Sequence, residues 1–177
     1  MTPCLDRQVV ENRLVTMGKS VGQLGAAGPL DRGRLARDPA SGLVVERVLA
    51  LLADLAFEVN RQVAAAVLDE APETGASAFD AAERAGVIDA RVSAALTSPD
   101  GPHHVLVQLY LDTEPERVAA VVSAAVADYQ EYVRQVTRWT NAKGRRSLVS
   151  SCGCGPTGSS TGRCPEQAGL PSSLVPA

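Results

Sequence analysis

The sequence predicts an all-α helical bundle, and three observations carry that prediction. Apolar residues recur at three- and four-residue spacing through two long stretches, 43–68 and 115–138. No stretch alternates apolar and polar residues at the period of two that a half-buried strand requires. The apolar fraction is 45% but aromatics are only 3%, with alanine and valine dominating. A core of such small side chains closes best between tightly packed helices.

The elements follow in order. Residues 5–24 carry Leu5, Val9, Val10, Met17, Val21 and Leu24 at imperfect helical spacing, weakened by Gly18 and Gly22. A break follows at G-A-A-G-P-L. Asp38-Pro39 then prepares a helix start, with Asp38 or Ser41 as cap and proline tolerated in the first turn. Residues 43–68 form the strongest helix, with Val44, Val48, Leu51, Leu52, Leu55, Val59, Val63 and Val67 on its apolar face. Arg47, Asp54, Glu58 and Arg61 lie opposite. Pro72 ends this helix by Ala71. Ser77-Ala-Phe-Asp80 resembles a capping box for a short helix that Gly86 stops, and Asp89 caps another through Leu96. Ser98-Pro-Asp-Gly-Pro102 is a break rich in turn formers. Residues 103–112 are too apolar for open loop and predict a short helix or turn. Thr113-Glu-Pro-Glu116 opens the last long helix, 115–138, with Val118, Val121, Val122, Ala125, Val126, Tyr129 and Val133 along one face. Tyr129, Tyr132 and Trp139 are read as core or subunit-contact residues rather than platforms for bases.

Past Asn141 the chain turns rich in Gly, Ser, Thr and Pro and loses apolar periodicity. The organisation predicted is therefore a helical domain over 5–140 and a disordered tail over 141–177, because the tail cannot bury enough surface to offset its ordering entropy. Charge divides at the same place. Lys143, Arg145, Arg146 and Arg163 against Glu166 give the tail +3, and the body holds −6 of the chain's −3. An acidic body argues against a general nucleic-acid binder and against a DNA partner, since phosphate affinity needs clustered Lys and Arg. No run approaches the ~20 apolar residues of a membrane span, and the first residues show no secretion signal. A cytoplasmic protein with reduced cysteines is expected. Cys152, Cys154 and Cys164 have C-x-C rather than paired zinc-ligand spacing, and Cys4 lies far away. They are read as solvent-exposed thiols, so neither a metal nor another cofactor is expected.

Functional interest centres on D-G-P-H-H-V-L-V-Q-L-Y-L-D at 100–112, which holds both histidines of the chain, His103 and His104. E-R-V-L-A-L-L-A-D-L-A at 46–56, A-F-D-A-A-E-R-A-G-V-I-D at 78–89 and Y-L-D-T-E-P-E-R-V at 110–118 resemble the HepT toxins, small helical proteins of the HEPN superfamily. The resemblance covers about Leu5 to Thr140. The family signature is an Arg, then four to six residues, then His-x-Tyr. Aligned through Val107, Tyr110 and Pro115-Glu-Arg-Val118, the tyrosine falls on Tyr110, the histidine position on Gln108 and the arginine position on His103, with His104 where an Asn is usual.

The resemblance implies a homodimer that cleaves RNA (tRNA or mRNA) without a metal, as the toxin of a type VII-like toxin–antitoxin module. It also implies a partner antitoxin, an MNT-type minimal nucleotidyltransferase, which attaches AMP to the tyrosine, here Tyr110. The substitutions weaken or remove the site. A glutamine amide hydrogen-bonds but does not exchange a proton near neutral pH, and histidine lacks the bidentate fork of arginine. On a helix, His104 and Gln108 share a face, so His104 is the candidate to take over proton transfer. Asp54, Glu58 and Arg61 are read either as an ordinary solvated face or as lining of a cleft between subunits. The alternative to a ribonuclease is a catalytically inactive dimeric interaction module on the same scaffold.

Overall fold

The computed structural model describes residues 5–28, 34, 37–38, 40–98 and 115–150, with side chains in the last helix described over 119–143. These residues are helical, with no strand among them: α1 (Arg7–Ala27), α2 (Ala40–Val67), α3 (Gly75–Arg84), α4 (Ala90–Thr97) and α5 (Pro115–Ser150). Packing runs as a closed cycle. Each helix lies on the next, α1 on α2 through to α4 on α5, and α5 returns to α1. The all-α bundle predicted from the sequence is therefore the fold.

Local chemistry explains where the helices begin and end. Asp6 caps α1 by accepting from the Val9 amide at 3.1 Å. The buried residues Val10, Leu14, Met17, Ser20, Val21 and Leu24 turn inward, while Gly18, Gly22 and Gly25 lie on the open side. Ahead of α2, the Ser41 hydroxyl donates to the Asp38 carboxylate at 2.6 Å. α2 ends at Val67, and Asp69 follows in the left-handed region at φ 57°, where a short polar side chain is among the few tolerated.

α3 starts one turn earlier than its sequence suggested. Thr74, not Ser77, is the cap; it accepts from the Ser77 amide, and the Ser77 hydroxyl accepts from the Thr74 amide. Ser77 thus occupies the third helical position of the box. Gly86 ends this helix as expected. At φ 69° its amide donates to Glu83 O at 2.8 Å and that of Val87 to Ala82 O at 3.0 Å, a Schellman motif.

Two further expectations are corrected. The stripe buried by α2 is displaced by about one residue in its first half: Val45, Leu49, Leu52 and Ala56 are buried, whereas Val44 is 61% and Leu51 39% exposed. The apolar arc of α2 is wider than its packed face. Small residues such as Ser41, Ala56 and Ala64 let neighbours close on one edge, leaving Leu43, Val44 and Leu51 uncovered within the single chain. α5 continues to Ser150, past Arg138 where its apolar pattern fades, so residues 141–150 are helical rather than part of a tail. Residues 151–177 lie outside the described residues.

The core gathers Val10, Met17 and Val21 of α1, Leu49, Leu52, Val59 and Val63 of α2, Phe79 of α3, Val92 of α4, and Tyr129, Tyr132 and Val136 of α5. Tyr129 and Tyr132 are core residues, as read from their register. Trp139 is partly buried against the cluster, with the Lys143 ammonium 4.7 Å from its ring centroid.

Candidate active site

His103, His104, Gln108 and Tyr110 fall in 99–114, outside the described residues. What the structure defines is the frame around that segment. Its upstream end is α4, and α4 is fixed to α5 by one glutamine. Gln135 Oε1 accepts from the Asp89 amide at 2.8 Å, and Gln135 Nε2 donates to Asp89 Oδ2 at 2.7 Å and to Glu131 Oε1 at 2.8 Å. Asp89 also caps α4 through the Val92 amide at 2.8 Å. Its carboxyl is held below the usual aspartate range, first by that amide and then by Gln135. Arg91 reaches Asp128 of α5 at 3.1 Å, a surface pair that adds little energy but aligns the two helices. The downstream end of the segment is the start of α5.

Beside this frame lies a cleft of about 300 Å³ between α2, α3, α4 and α5. Phe57, Phe79, Leu96 and Tyr129 give it apolar walls, Thr97 stands where α4 leads into residues 99–114, and Asp54 and Glu73 contribute carboxylates. Phe79 and Tyr129 are almost fully buried, whereas Asp54 and Glu73 are exposed, so the carboxylates stand nearer the mouth than the rings. Burial, then the charge of Asp54, pushes the Tyr129 phenol far above its ordinary value, so it remains a neutral hydroxyl throughout the working pH range.

The polar stripe of α2 divides here. Glu58 pairs with Arg61 at 3.0 Å and with Arg13 of α1 at 3.8 Å, the behaviour of an ordinary solvated face. Asp54 instead faces the cleft. On the far side of α3, Arg84 grips Glu70 through two bonds of 2.7 and 2.6 Å and Asp80 through one of 2.9 Å. The pairing holds the Glu70 carboxyl below its usual range and joins the α2–α3 connection to α3.

One polar feature of the interior escaped the sequence reading. Tyr132, wholly buried, donates its hydroxyl to Asn60 Oδ1 at 2.7 Å, with Ala56 O at 3.3 Å as a second acceptor. Its ring meets Phe79 edge-on at 5.8 Å between centroids. Asn60 shares the inward register of Ala56, Val63 and Ala64, four residues after one and three and four before the others. A lone amide at that register is the signal that could have revealed the pair. Among the described residues no three His, Cys, Asp or Glu side chains are grouped to hold a metal, and no helix is long and apolar enough to cross a membrane.

Comparison with known proteins adds two findings. A family profile described as Ribonuclease HepT-like matches residues 17–136, which takes in the cleft and the motif segment. The tRNA nuclease HepT of Aphanizomenon flos-aquae (strain 2012/KM1/D3) is 22% identical over 131 residues, spanning 74% of this chain and 89% of that protein. The order of helices, the signature stretch before the last long helix and the match across most of the chain agree: the chain belongs to the HepT-like ribonuclease family.

Proposed function

We propose that the chain is the RNA-cleaving toxin of a toxin–antitoxin module of the type VII kind, acting as a homodimer with a weakened active site. The observation that carries this is the family match across residues 17–136, which spans the whole frame around the signature segment. The name of the cyanobacterial relative supports tRNA as the first substrate to test. The uncovered edge of α2 supports the dimer. Val44 and Leu51 are exposed, Val48 and Leu55 are half-buried, and all four follow one another at helical spacing. Asp54 continues the same edge at the cleft mouth, so a second subunit seated on it lies beside the cleft.

In this reading His104 takes the proton of a ribose 2′-hydroxyl. Gln108 hydrogen-bonds the phosphate without exchanging a proton, and His103 supplies only part of the charge an arginine would. Loss of a general acid–base group costs ~10²–10⁴-fold, so the expected activity is slow. Tyr110 is the acceptor of AMP from an MNT-type nucleotidyltransferase antitoxin.

The test incubates the purified protein with total tRNA. Cleavage that His104→Ala removes supports the reading, and a double substitution, His103→Arg with Gln108→His, is expected to raise the rate by restoring the family signature. Cleavage indifferent to all three positions refutes it. Co-expression with the nucleotidyltransferase should add the mass of AMP, and Tyr110→Phe should abolish that addition. The substitution Gln108 in place of the general acid–base histidine favours a second reading, an inactive dimeric interaction module. It stands if neither the natural chain nor the restored one cleaves RNA.

A further inference from the structure

Aromatic residues are scarce in this protein: two Phe, three Tyr and one Trp in 177 residues. Half of them, Phe57, Phe79 and Tyr129, line the single cleft beside the signature segment. Hydrophobic burial alone does not explain that concentration, because the rest of the core closes with valine, leucine and alanine. Phe57 remains half exposed there although the fold has apolar core to hide it in. Flat walls of this kind suit a flat ligand, since rings stack on rings and each base stacked on an aromatic side chain gains ~1–3 kcal/mol. About 300 Å³ lies at the small end of ligand cavities. It is too small for a peptide and adequate for one nucleobase with part of its sugar.

The polar groups narrow the choice. Asp54 and Glu73 are carboxylates, which only accept hydrogen bonds. Their charge disfavours a phosphate in the cleft and favours a group that presents N–H donors. Guanine presents two in parallel, N1–H and one N2–H, which match the two oxygens of one carboxylate. Adenine and cytosine pair one amino group with an acceptor ring nitrogen that a carboxylate repels, and uracil offers one N–H between two carbonyls. The Tyr129 phenol, kept protonated by burial and the nearby Asp54 charge, adds a neutral hydroxyl to the wall.

We propose that the cleft between α2, α3, α4 and α5 is a base pocket that holds a guanine of the RNA beside the cleavage segment, with Asp54 or Glu73 reading its Watson–Crick edge. This rests on the ribonuclease reading for the source of the base but not for the pocket itself. Thr97 lines the pocket and sits at the end of α4, where the chain departs toward His103 and Tyr110. A base seated there therefore sets which phosphodiester lies near the signature residues.

The probes are GMP, AMP, CMP, UMP and ribose 5-phosphate, titrated into the purified full chain and followed by heteronuclear NMR. GMP is expected to bind at least about tenfold tighter than the others, as a bidentate base contact discriminates by ~1–3 kcal/mol, with shifts at Phe57, Phe79 and Tyr129. Asp54→Asn or Glu73→Gln should remove the preference. Both side chains are exposed, so these near-isosteric changes should leave far-UV dichroism unaltered. Equal binding of GMP and ribose 5-phosphate, or a guanine preference that survives both variants, overturns the pocket. Cleavage of total tRNA is measured in parallel. Cleavage without guanine preference sinks the pocket and spares the ribonuclease reading, whereas GMP preference without cleavage by the natural or restored chain does the reverse.

Discussion

Tyr132→Phe removes one oxygen from the middle of the bundle, and the structure sets the cost. The hydroxyl donates to Asn60 Oδ1 at 2.7 Å, both residues are fully buried, and Asn60 Nδ2 has no partner among the described residues. Losing the hydroxyl leaves the amide without its described bond in a region closed to water. A buried polar group so stranded costs ~1–3 kcal/mol, and ~2 kcal/mol is expected here. The reverse deletion should be milder. In Asn60→Leu the hydroxyl retains an acceptor, Ala56 O at 3.3 Å, so ~1 kcal/mol is expected. Replacing both partners by apolar groups can be nearly neutral, so the double variant should be less destabilised than Tyr132→Phe alone. Urea unfolding followed by far-UV dichroism measures all four proteins, at one protein concentration because association shifts apparent stability. A coupling energy of at least ~1 kcal/mol is expected. Additivity within ~0.3 kcal/mol would mean that the two side chains do not depend on each other, and the account of the core as a satisfied polar pair would be wrong.

Other substitutions probe other links. Gly18 and Gly22 stand in the interior of α1 with open space where a Cβ would go, so each change to alanine should stabilise by ~0.5–1 kcal/mol, read as a higher urea midpoint. Gly86→Ala should destabilise by ~1–2 kcal/mol, because its φ of 69° is unfavourable to a side chain; no loss would mean that α3 ends differently. Val44→Glu with Leu51→Glu should convert a dimer to a monomer in sedimentation velocity without loss of helicity, and a dimer that persists places the subunit contact elsewhere. Asp89 has a folded pKa below its unfolded value, so its contribution is complete above the ordinary aspartate range and is lost as pH falls through the folded value. The stability difference between the natural protein and Asp89→Ala should therefore hold at neutral pH and shrink below about pH 4. A difference that stays constant down to pH 2 would refute the capping role.

Helix type and order were legible because periodicity and capping are local. Asp6, Asp89, Gly86 and Pro72 act within a few residues of themselves, and each can be recognised without knowing what packs nearby. The start of α3 shifted because Thr74 and Ser77 both qualify as caps, and only the backbone decides which one leads. The buried stripe of α2 was displaced because its apolar arc is wider than one interface, and sequence pattern does not say which edge a neighbour covers. Pairings distant in the chain, such as Gln135 with Asp89 or Tyr132 with Asn60, leave no local trace. The cleft was hidden for the same reason. Its lining comes from three helices and two helix ends, and only Asp54 had been singled out, as part of a charged stripe. The signature residues were legible as an alignment, and their departures from the family pattern are a matter of residue chemistry alone.

The Gln135 clamp bears on how such a site changes over time. It ties the entry of the signature segment to the same long rod that forms its exit, through bonds in which no residue of the segment takes part. The scaffold is thereby insulated from what happens between the two anchor points. An imidazole exchanged for an amide in that stretch, or an amide restored to an imidazole, alters chemistry while leaving the supports intact. Activity can then drift, fade and be regained on a frame that natural selection need not rebuild.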